Sequence, residues 1–242
     1  MAGHSKWKNI QHRKGAQDAK RGKIFTKYAK EITVAAKLGG SDPDGNPRLR
    51  AAMIKARANS MPKDNIERAI KKGTGDSDGA DFLEKSYEGY GPGGVAILVE
   101  CLTDNVNRTV ADIRHAFSRF GGNLGTDGSV SWMFQNQGTL IYQKDKIENF
   151  DLFFEIATEH GADDIREEED IYEVICAASA FNELKEGLDK LKIEPEMAEI
   201  SKIPENYTDI DDEKVVSLLK MIDLLEDNDD VQNVSHNANL PE

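Results

Sequence analysis

The sequence has little cysteine, and this limits the chemistry that the chain can support. Cys101 and Cys176 are the only cysteines, and no Cys-x-x-Cys pair occurs. Zinc knuckles and dithiol redox motifs are built on such pairs, so the sequence predicts neither. Each cysteine lies in an apolar, strand-like run, where a small thiol is typically buried.

Long apolar runs are also missing. No stretch approaches the roughly 20 apolar residues that a membrane-spanning helix needs. The opening Met-Ala-Gly-His-Ser-Lys lacks the apolar segment of a signal peptide. We therefore expect a soluble, cytoplasmic protein without a membrane partner. The length of 242 residues predicts one large domain or two to three small ones. With 38% apolar and 31% charged residues, the chain can bury a core beneath a very polar surface.

No constellation of catalytic or metal-binding residues is recognisable. The five histidines are scattered, and the acidic run 167–170 is typical of a solvated turn. Gly89, Gly91 and Gly94 match G-x-G-x-x-G, but the dinucleotide fingerprint must open a helix, whereas a strand pattern follows here. A hairpin turn is therefore the better interpretation. We expect a protein that is not an enzyme and that needs no metal, cofactor or small-molecule substrate.

What the sequence does have is a strongly asymmetric charge. The net charge is -13, yet residues 1–75 contain 18 lysines and arginines against six acidic residues, which leaves the remainder at -25. Such a split indicates an anionic partner at the basic end. Nucleic acid fits, because lysine and arginine bind by neutralising phosphates. The alternative is a basic helical domain that is merely well solvated.

The candidate nucleic-acid contacts lie in a basic arm, residues 1–30, and in the predicted helix at residues 47–59. The beginning of the arm has almost no apolar residues, so we expect it to be mobile until bound. Trp7 is suited to stacking on unpaired bases. Phe25 and Tyr28 fall on an apolar helical stripe, which favours a core role. The predicted contacts are Lys6, Trp7, Lys8, His12, Arg13, Lys14, Lys20, Arg21, Lys23, Lys27, Lys30, Arg50 and Arg57.

Apolar periodicity divides residues 1–75 into helices that form a basic bundle behind the arm. Three helices are predicted, at residues 23–38, 47–59 and 62–72. Asn46 is placed to cap the second helix, which opens at Pro47. Gly73 is expected to end the third helix.

Strands and helices alternate after a glycine-rich linker. The pattern predicts strands at 82–90, 95–102 and 129–134, and a helix at 108–120 capped by Asn107. Residues 136–205 are predicted to form a further unit with the order β-α-β-β-α-β, which is the ferredoxin-like order.

The C-terminal helix 215–225 and strand 231–235 lack partners of their own. We expect them to complete the sheet that begins at residue 82, with a frayed tail beyond Asn237. The predicted fold class is α+β and multidomain: an N-terminal helical bundle followed by two α/β domains, the last ferredoxin-like. The predicted domains are residues 1–75, residues 80–135 plus 206–242, and residues 136–205.

Six long motifs in the first 134 residues resemble the YebC/PmpR family. They occur in the order that the family shows, and no departure is seen among them. The motifs are Met1–Trp7, Lys20–Lys27, Met61–Ile70, Tyr87–Gly94, Thr103–Thr109 and Gly128–Phe134.

The resemblance implies a three-domain regulator of gene expression. Bacterial members are described as transcriptional regulators that bind DNA. Related mitochondrial members are translational activators, and some bacterial members are linked to ribosomes stalled on proline runs. The first hypothesis is therefore a DNA-binding transcriptional regulator, and the alternative is a ribosome-associated factor that binds ribosomal RNA. A third hypothesis is a protein-interaction module that works through the acidic α/β domains.

Overall fold

The computed structural model describes residues 21–75 and 82–240, which contain seven α-helices. The helices are α1 (Arg21–Gly39), α2 (Pro47–Ala58), α3 (Lys63–Thr74), α4 (Val106–Arg119), α5 (Phe150–Glu159), α6 (Phe181–Asp189) and α7 (Asp212–Glu226). The strands are β1 (Leu83–Tyr90), β2 (Ala96–Thr103), β3 (Asn123–Leu124), β4 (Phe134–Gln143), β5 (Ala162–Glu167), β6 (Ile171–Ala177), β7 (Met197–Pro204), β8 (Thr208–Asp209), β9 (Val231–His236) and β10 (Ala238–Asn239). The predicted α+β fold class, with a helical bundle before two α/β parts, is confirmed.

The described chain divides into two compact units. One unit contains residues 21–130 and 210–234, so a C-terminal segment returns to the first half of the chain. The other contains residues 131–209 and 235–240. The three-domain boundaries that the sequence suggests stay a prediction.

The helical bundle has a thin core that is rich in alanine. Its larger members are Ile32, Leu49 and Ile66, and the rest are mostly alanines. Gly73 lies inside α3, not at its end as predicted, because α3 packs closely on α1 at this point. A Cβ on Gly73 would lie 2.2 Å from the carbonyl oxygen of Thr33, so no larger residue fits.

Asn46 joins the end of α1 to the start of α2. Its Oδ1 accepts a hydrogen bond from the N–H of Leu49 at 3.0 Å, which confirms the predicted cap. Its Nδ2 donates to the carbonyls of Ala35 and Gly40 at 2.8 and 2.9 Å. One buried side chain therefore caps the first turn of α2 and also binds two carbonyl groups at the end of α1.

The middle sheet has the strand order β3-β1-β2-β9, so the C-terminal strand lies beside β2. Helix α4 starts at Val106, two residues earlier than predicted, because its N-cap is Asn105 and not Asn107. The Oδ1 of Asn105 accepts from the N–H of Arg108 at 3.0 Å. Asn107 lies inside the first turn, where its side chain is exposed.

The predicted strand at residues 129–134 is wrong, because a carboxylate holds this segment as a loop. The Oε1 and Oε2 atoms of the buried Glu88 accept hydrogen bonds from the N–H groups of Gly128 (2.8 Å) and Val130 (2.7 Å). The two N–H groups therefore bond to a side chain and are not available to pair with a neighbouring strand. A 3₁₀ turn follows at Ser131–Met133, and the strand begins only at Phe134.

The ferredoxin-like prediction is confirmed by the topology of the second unit. Its sheet has the order β5-β6-β4-β7, and each pair of neighbours is antiparallel. Alternate strand residues form one core with α5 and α6, in which Leu140, Tyr142, Phe153 and Leu184 are fully buried.

The opposite face of this sheet is buried too. Ile141 is fully buried, and Ile175 is 5% exposed. RNA-recognition modules with a similar strand arrangement bind bases on an open sheet face. This face therefore does not offer that kind of surface.

Residues 238–240 are ordered, contrary to the predicted frayed tail beyond Asn237. β10 pairs with β8 in a parallel two-stranded sheet. The N–H of Thr208 donates to the carbonyl of Asn237 at 2.7 Å, and Ala238 is fully buried. Backbone pairing with a segment some 30 residues earlier gave no local signal in the sequence.

Candidate nucleic-acid interface

The structure describes only part of the predicted contact set. Seven predicted residues lie outside the described chain: Lys6, Trp7, Lys8, His12, Arg13, Lys14 and Lys20. Arg21 begins α1. The remaining predicted contacts lie on the helical bundle, with Lys23, Lys27 and Lys30 on α1 and Arg50 and Arg57 on α2. The structure separates these two groups.

Three of the four lysines of α1 contact an acidic segment of the same unit. Lys27 Nζ donates to the carbonyl oxygen of Glu226 at 2.6 Å, and Lys23 Nζ donates to that of Asp227 at 3.1 Å. Lys30 Nζ donates to the carbonyl of Asp229 at 2.9 Å. Because residues 23, 27 and 30 repeat at helical spacing, they form one face of α1. We call these three residues the α1 lysine face.

The position of this face has an electrostatic reason. Helix α7 ends at Glu226, and its last carbonyls have no partner within the helix. The C-terminal end of a helix also carries a partial negative charge, which favours cations. Burial lowers the pKa of Lys27, and the negative charges of Glu226 and Asp229 offset part of this shift.

Asp230 completes the contact and is the centre of a charged network. Its side chain is 3% exposed, and its Oδ1 lies 2.7 Å from Lys30 Nζ. Its Oδ2 lies 2.6 Å from Arg108 Nη2 and accepts from the hydroxyls of Thr109 (2.9 Å) and Thr103 (3.2 Å). The residues on either end of the Thr103–Thr109 motif therefore meet at one carboxylate.

The network keeps Asp230 ionised. Burial by itself would raise the pKa of its carboxyl group. Hydrogen bonds from Lys30, Arg108 and Thr109 outweigh burial and lower the pKa to about 2. Because Lys30 belongs to α1 and Arg108 to α4, this carboxylate links the helical bundle to the middle sheet and its helix.

Arg48 is a further cation with an internal role. Its Nε and Nη2 atoms bind the two carboxylate oxygens of Glu31 at 2.7 and 3.1 Å. Nη2 also lies 2.5 Å from Glu84 on β1. Hydrogen bonds with these two acids raise the pKa of Arg48 above its ordinary value.

The other three cations of α2 have a different environment. Arg50, Lys55 and Arg57 are exposed, and none of them forms an ion pair within residues 21–75 and 82–240. Arg50, Ile54 and Arg57 follow at helical spacing and lie along one stripe. Ile54 is 56% exposed between the two arginines. This stripe presents charge and apolar area to a ligand.

Helix α3 adds cations beside a groove. Lys71 and Lys72 are exposed and form no ion pair in the described part of the chain. Lys72 and Arg68 line a groove of about 440 Å³ between α1 and α3, with Phe25 and Met61 among its apolar residues. The groove therefore combines cations with an aromatic ring, the two features that single-stranded nucleic acid needs.

The predicted contact set omitted four of these cations. Lys55, Arg68, Lys71 and Lys72 carry the same signal as Arg50 and Arg57, since all lie off the apolar stripe of a basic helix. For the α1 lysine face, the missed signal was the acidic run 226–230. Its charge complements the lysines, but it follows them by about 200 residues.

No alternative chemistry is apparent in the described residues. They contain no group of three or more histidine, cysteine or acidic residues that could hold a metal ion. Burial raises the pKa of Cys101 to about 12, so this thiol is not a thiolate nucleophile at neutral pH. Gly89, Gly91 and Gly94 lie in the β1–β2 hairpin, where Pro92–Gly94 form a 3₁₀ turn. The described residues contain no candidate membrane-spanning helix.

Comparison with known proteins identifies the family. Residues 5–76 match the description "TACO1/YebC protein N-terminal domain". Residues 82–238 match "TACO1/YebC second and third domain". The chain belongs to the TACO1/YebC family. The resemblance that the sequence motifs predicted is therefore confirmed, over nearly the whole chain.

Close relatives within the TACO1/YebC family share both sequence and structure. A protein of Syntrophotalea carbinolica, named "Probable transcriptional regulatory protein", is 57% identical over 99% of this chain and 96% of its own length. A Geobacter sulfurreducens protein with a similar name is 56% identical with the same coverage. A crystal structure of a conserved hypothetical protein from Aquifex aeolicus is similar with a TM-score of 0.81, at 43% identity over 93% of each chain.

Proposed function

We propose that this protein regulates gene expression by binding nucleic acid through its helical bundle, most simply DNA as a transcriptional regulator. The observation that carries the proposal is the set of exposed cations on α2 and α3 that lack ion-pair partners in the described residues. The names of the relatives support a role in transcriptional regulation.

The strength of such binding depends on how many phosphates the bundle contacts. Each neutralised phosphate releases a counterion, and on duplex DNA it adds about 0.9 to the slope of log affinity against log salt. If Arg50, Lys55 and Arg57 each contact one phosphate, replacing all three lowers the magnitude of the slope by about 2.7. This gives the proposal a quantitative test.

The triple variant R50A/K55A/R57A measures that contribution. We expect weaker binding of duplex DNA at every sequence tried, together with the flatter salt dependence. The matched control is K85A/R114A/K220A, which removes the same charge from exposed positions outside the bundle. We call Arg50, Lys55 and Arg57 the α2 surface. Equal losses in the two variants, or no loss in the first, would rule out the α2 surface as a DNA-binding site.

Binding of ribosomal RNA is a second candidate, and the groove between α1 and α3 favours it. Phe25 offers a ring on which an unpaired base can stack, and Arg68 and Lys72 lie beside it for the phosphates. A protein that uses this groove would regulate translation at the ribosome. The groove variant R68A/K72A should then weaken single-stranded RNA binding more than duplex DNA binding.

Crosslinking in cells distinguishes the two candidates. Sequencing of the attached nucleic acid should return promoter DNA for a transcriptional regulator and ribosomal RNA for a ribosome-associated factor. Recovery of neither, under conditions in which a known nucleic-acid-binding protein is recovered, contradicts both.

A further inference from the structure

The ferredoxin-like unit has an exposed aromatic surface that nucleic-acid binding does not use. Phe150 and Phe154 lie one turn apart on α5 and are 38% and 49% exposed. The Phe150 ring stacks on Tyr172 with centroids 4.6 Å apart, and it lies 6.1 Å from the Phe154 ring. We call Phe150, Phe154 and Tyr172 the aromatic patch.

The patch is supported from below by the core. Phe153 is fully buried and makes an edge-to-face contact with the buried Tyr142 at 5.2 Å. Phe153 also lies 6.4 Å from Phe150 and 6.2 Å from Tyr172. The exposed rings therefore belong to a packed helix and strand, which reduces the entropy lost on binding.

Acidic side chains lie beside the patch. The N–H of Lys144 donates to the carbonyl of Asp170 at 2.9 Å, which brings the acidic turn 167–170 next to Tyr172. Asp151 and Glu155 are exposed on α5. Residues 131–209 contain 20 acidic and seven basic residues, a net charge of -13. A phosphate-rich ligand is repelled by such a surface, whereas a cationic ligand is attracted.

One lysine of the protein already shows how this surface holds a cation. Lys144 Nζ lies 5.3 Å from the centroid of the Tyr172 ring and 2.8 Å from Glu167 Oε1. The cation is held between an aromatic face and a carboxylate, an arrangement that favours binding. Glu169 and Asp170 continue the acidic turn, and they form no ion pair in the described chain.

We propose that the aromatic patch and the acidic turn bind a lysine- or arginine-rich segment of a partner protein. Cationic side chains of that segment lie over Phe150 and Phe154 and pair with Glu169 and Asp170. The proposal rests on the charge and ring geometry of this unit alone, and it is independent of nucleic-acid binding by the bundle.

A fluorescently labelled short peptide of alternating arginine and leucine is the probe, titrated into the full chain at low ionic strength. The variant F150A/F154A should weaken binding at least about tenfold. The control L152A removes a side chain that is 42% exposed on the other flank of the same helix, and it should leave affinity within about twofold. Circular dichroism and thermal unfolding check that each variant is folded.

The charge contribution is tested with E169Q/D170N. This variant should weaken peptide binding and flatten its salt dependence, and it does not depend on the core of α5. The control E183Q/E186Q removes the same charge from α6, where both residues are exposed. Equal losses in the two charge variants would mean general attraction to an acidic protein and would overturn the proposal.

Two other results would also overturn it. Unchanged peptide affinity of folded F150A/F154A would exclude the aromatic patch. Self-association of the wild-type chain that is lost in F150A/F154A would make a second copy of this chain the occupant, in place of a partner protein.

Discussion

The α1 lysine face and the α2 surface carry the same kind of charge and have different roles. Lys27 is half-buried and donates to a carbonyl of another helix, whereas Arg50 and Arg57 are exposed without an ion-pair partner in the described residues. Both groups were predicted as nucleic-acid contacts from one signal, basic residues near the N-terminus. A basic segment is therefore a candidate binding surface only where the fold leaves its cations exposed and without partners in the same chain.

The acidic segment 226–230 makes this difference. It supplies helix-end carbonyls and the Asp230 carboxylate to the α1 lysine face, whereas no acidic partner reaches Arg50, Lys55 or Arg57 in the described structure. The residues of the α1 lysine face therefore make intramolecular contacts, which join the bundle to the segment between α7 and β9. Any contact that they make with nucleic acid stays a prediction.

The largest expected effect comes from Asp230→Ala, which removes the centre of the network. Lys30 and Arg108 would lose this partner, and because the Arg108 side chain is 49% exposed to water, we expect the free energy of unfolding to fall by about 2–3 kcal/mol. Urea unfolding followed by circular dichroism measures the loss. The control Asp229→Asn changes an exposed neighbour whose carbonyl, not its side chain, binds Lys30. A decrease in unfolding free energy of less than about 1 kcal/mol would show that the network does not stabilise the contact between the helical bundle and the middle sheet.

The pH dependence of stability should reveal the same carboxylate. Its folded pKa is about 2, below the value of about 3.9 for an unfolded aspartate. The stabilisation is therefore present above pH 4, amounts to roughly 2 kcal/mol, and is lost as pH falls towards 2. The difference in unfolding free energy between wild type and Asp230→Asn should shrink over this range. A difference that stays constant from pH 5 to pH 2 would contradict the lowered pKa.

The smallest effect separates the two surfaces directly. Lys27→Met removes a donor to the Glu226 carbonyl, so we expect a loss of about 1 kcal/mol in stability. Arg57→Met, the same change on the exposed surface, should alter stability by less than about 0.5 kcal/mol and should weaken nucleic-acid binding. Unfolding and salt-dependent binding measured on both variants check the contrast. Equal behaviour of the two variants would contradict different roles for the α1 lysine face and the α2 surface.

Local signals were sufficient for much of the fold. Asn46 caps α2 as predicted, because capping depends on neighbouring residues only. The ferredoxin-like order followed from apolar periodicity. The same signals failed at Asn107, at residues 129–134 and beyond Asn237, where a closer cap, the Glu88 carboxylate and a strand from earlier in the chain determine the conformation.

The location of the positive charge, the helices that carry it and the family resemblance could all be read from neighbouring residues in the chain. Which cations remain available to a ligand depends on the folded structure. Lys27 and Glu226 are 199 positions apart, and their contact exists because the C-terminal segment returns to α1. A pattern of neighbouring residues contains no information about such a partner, since burial and pairing depend on what the fold brings within hydrogen-bonding distance.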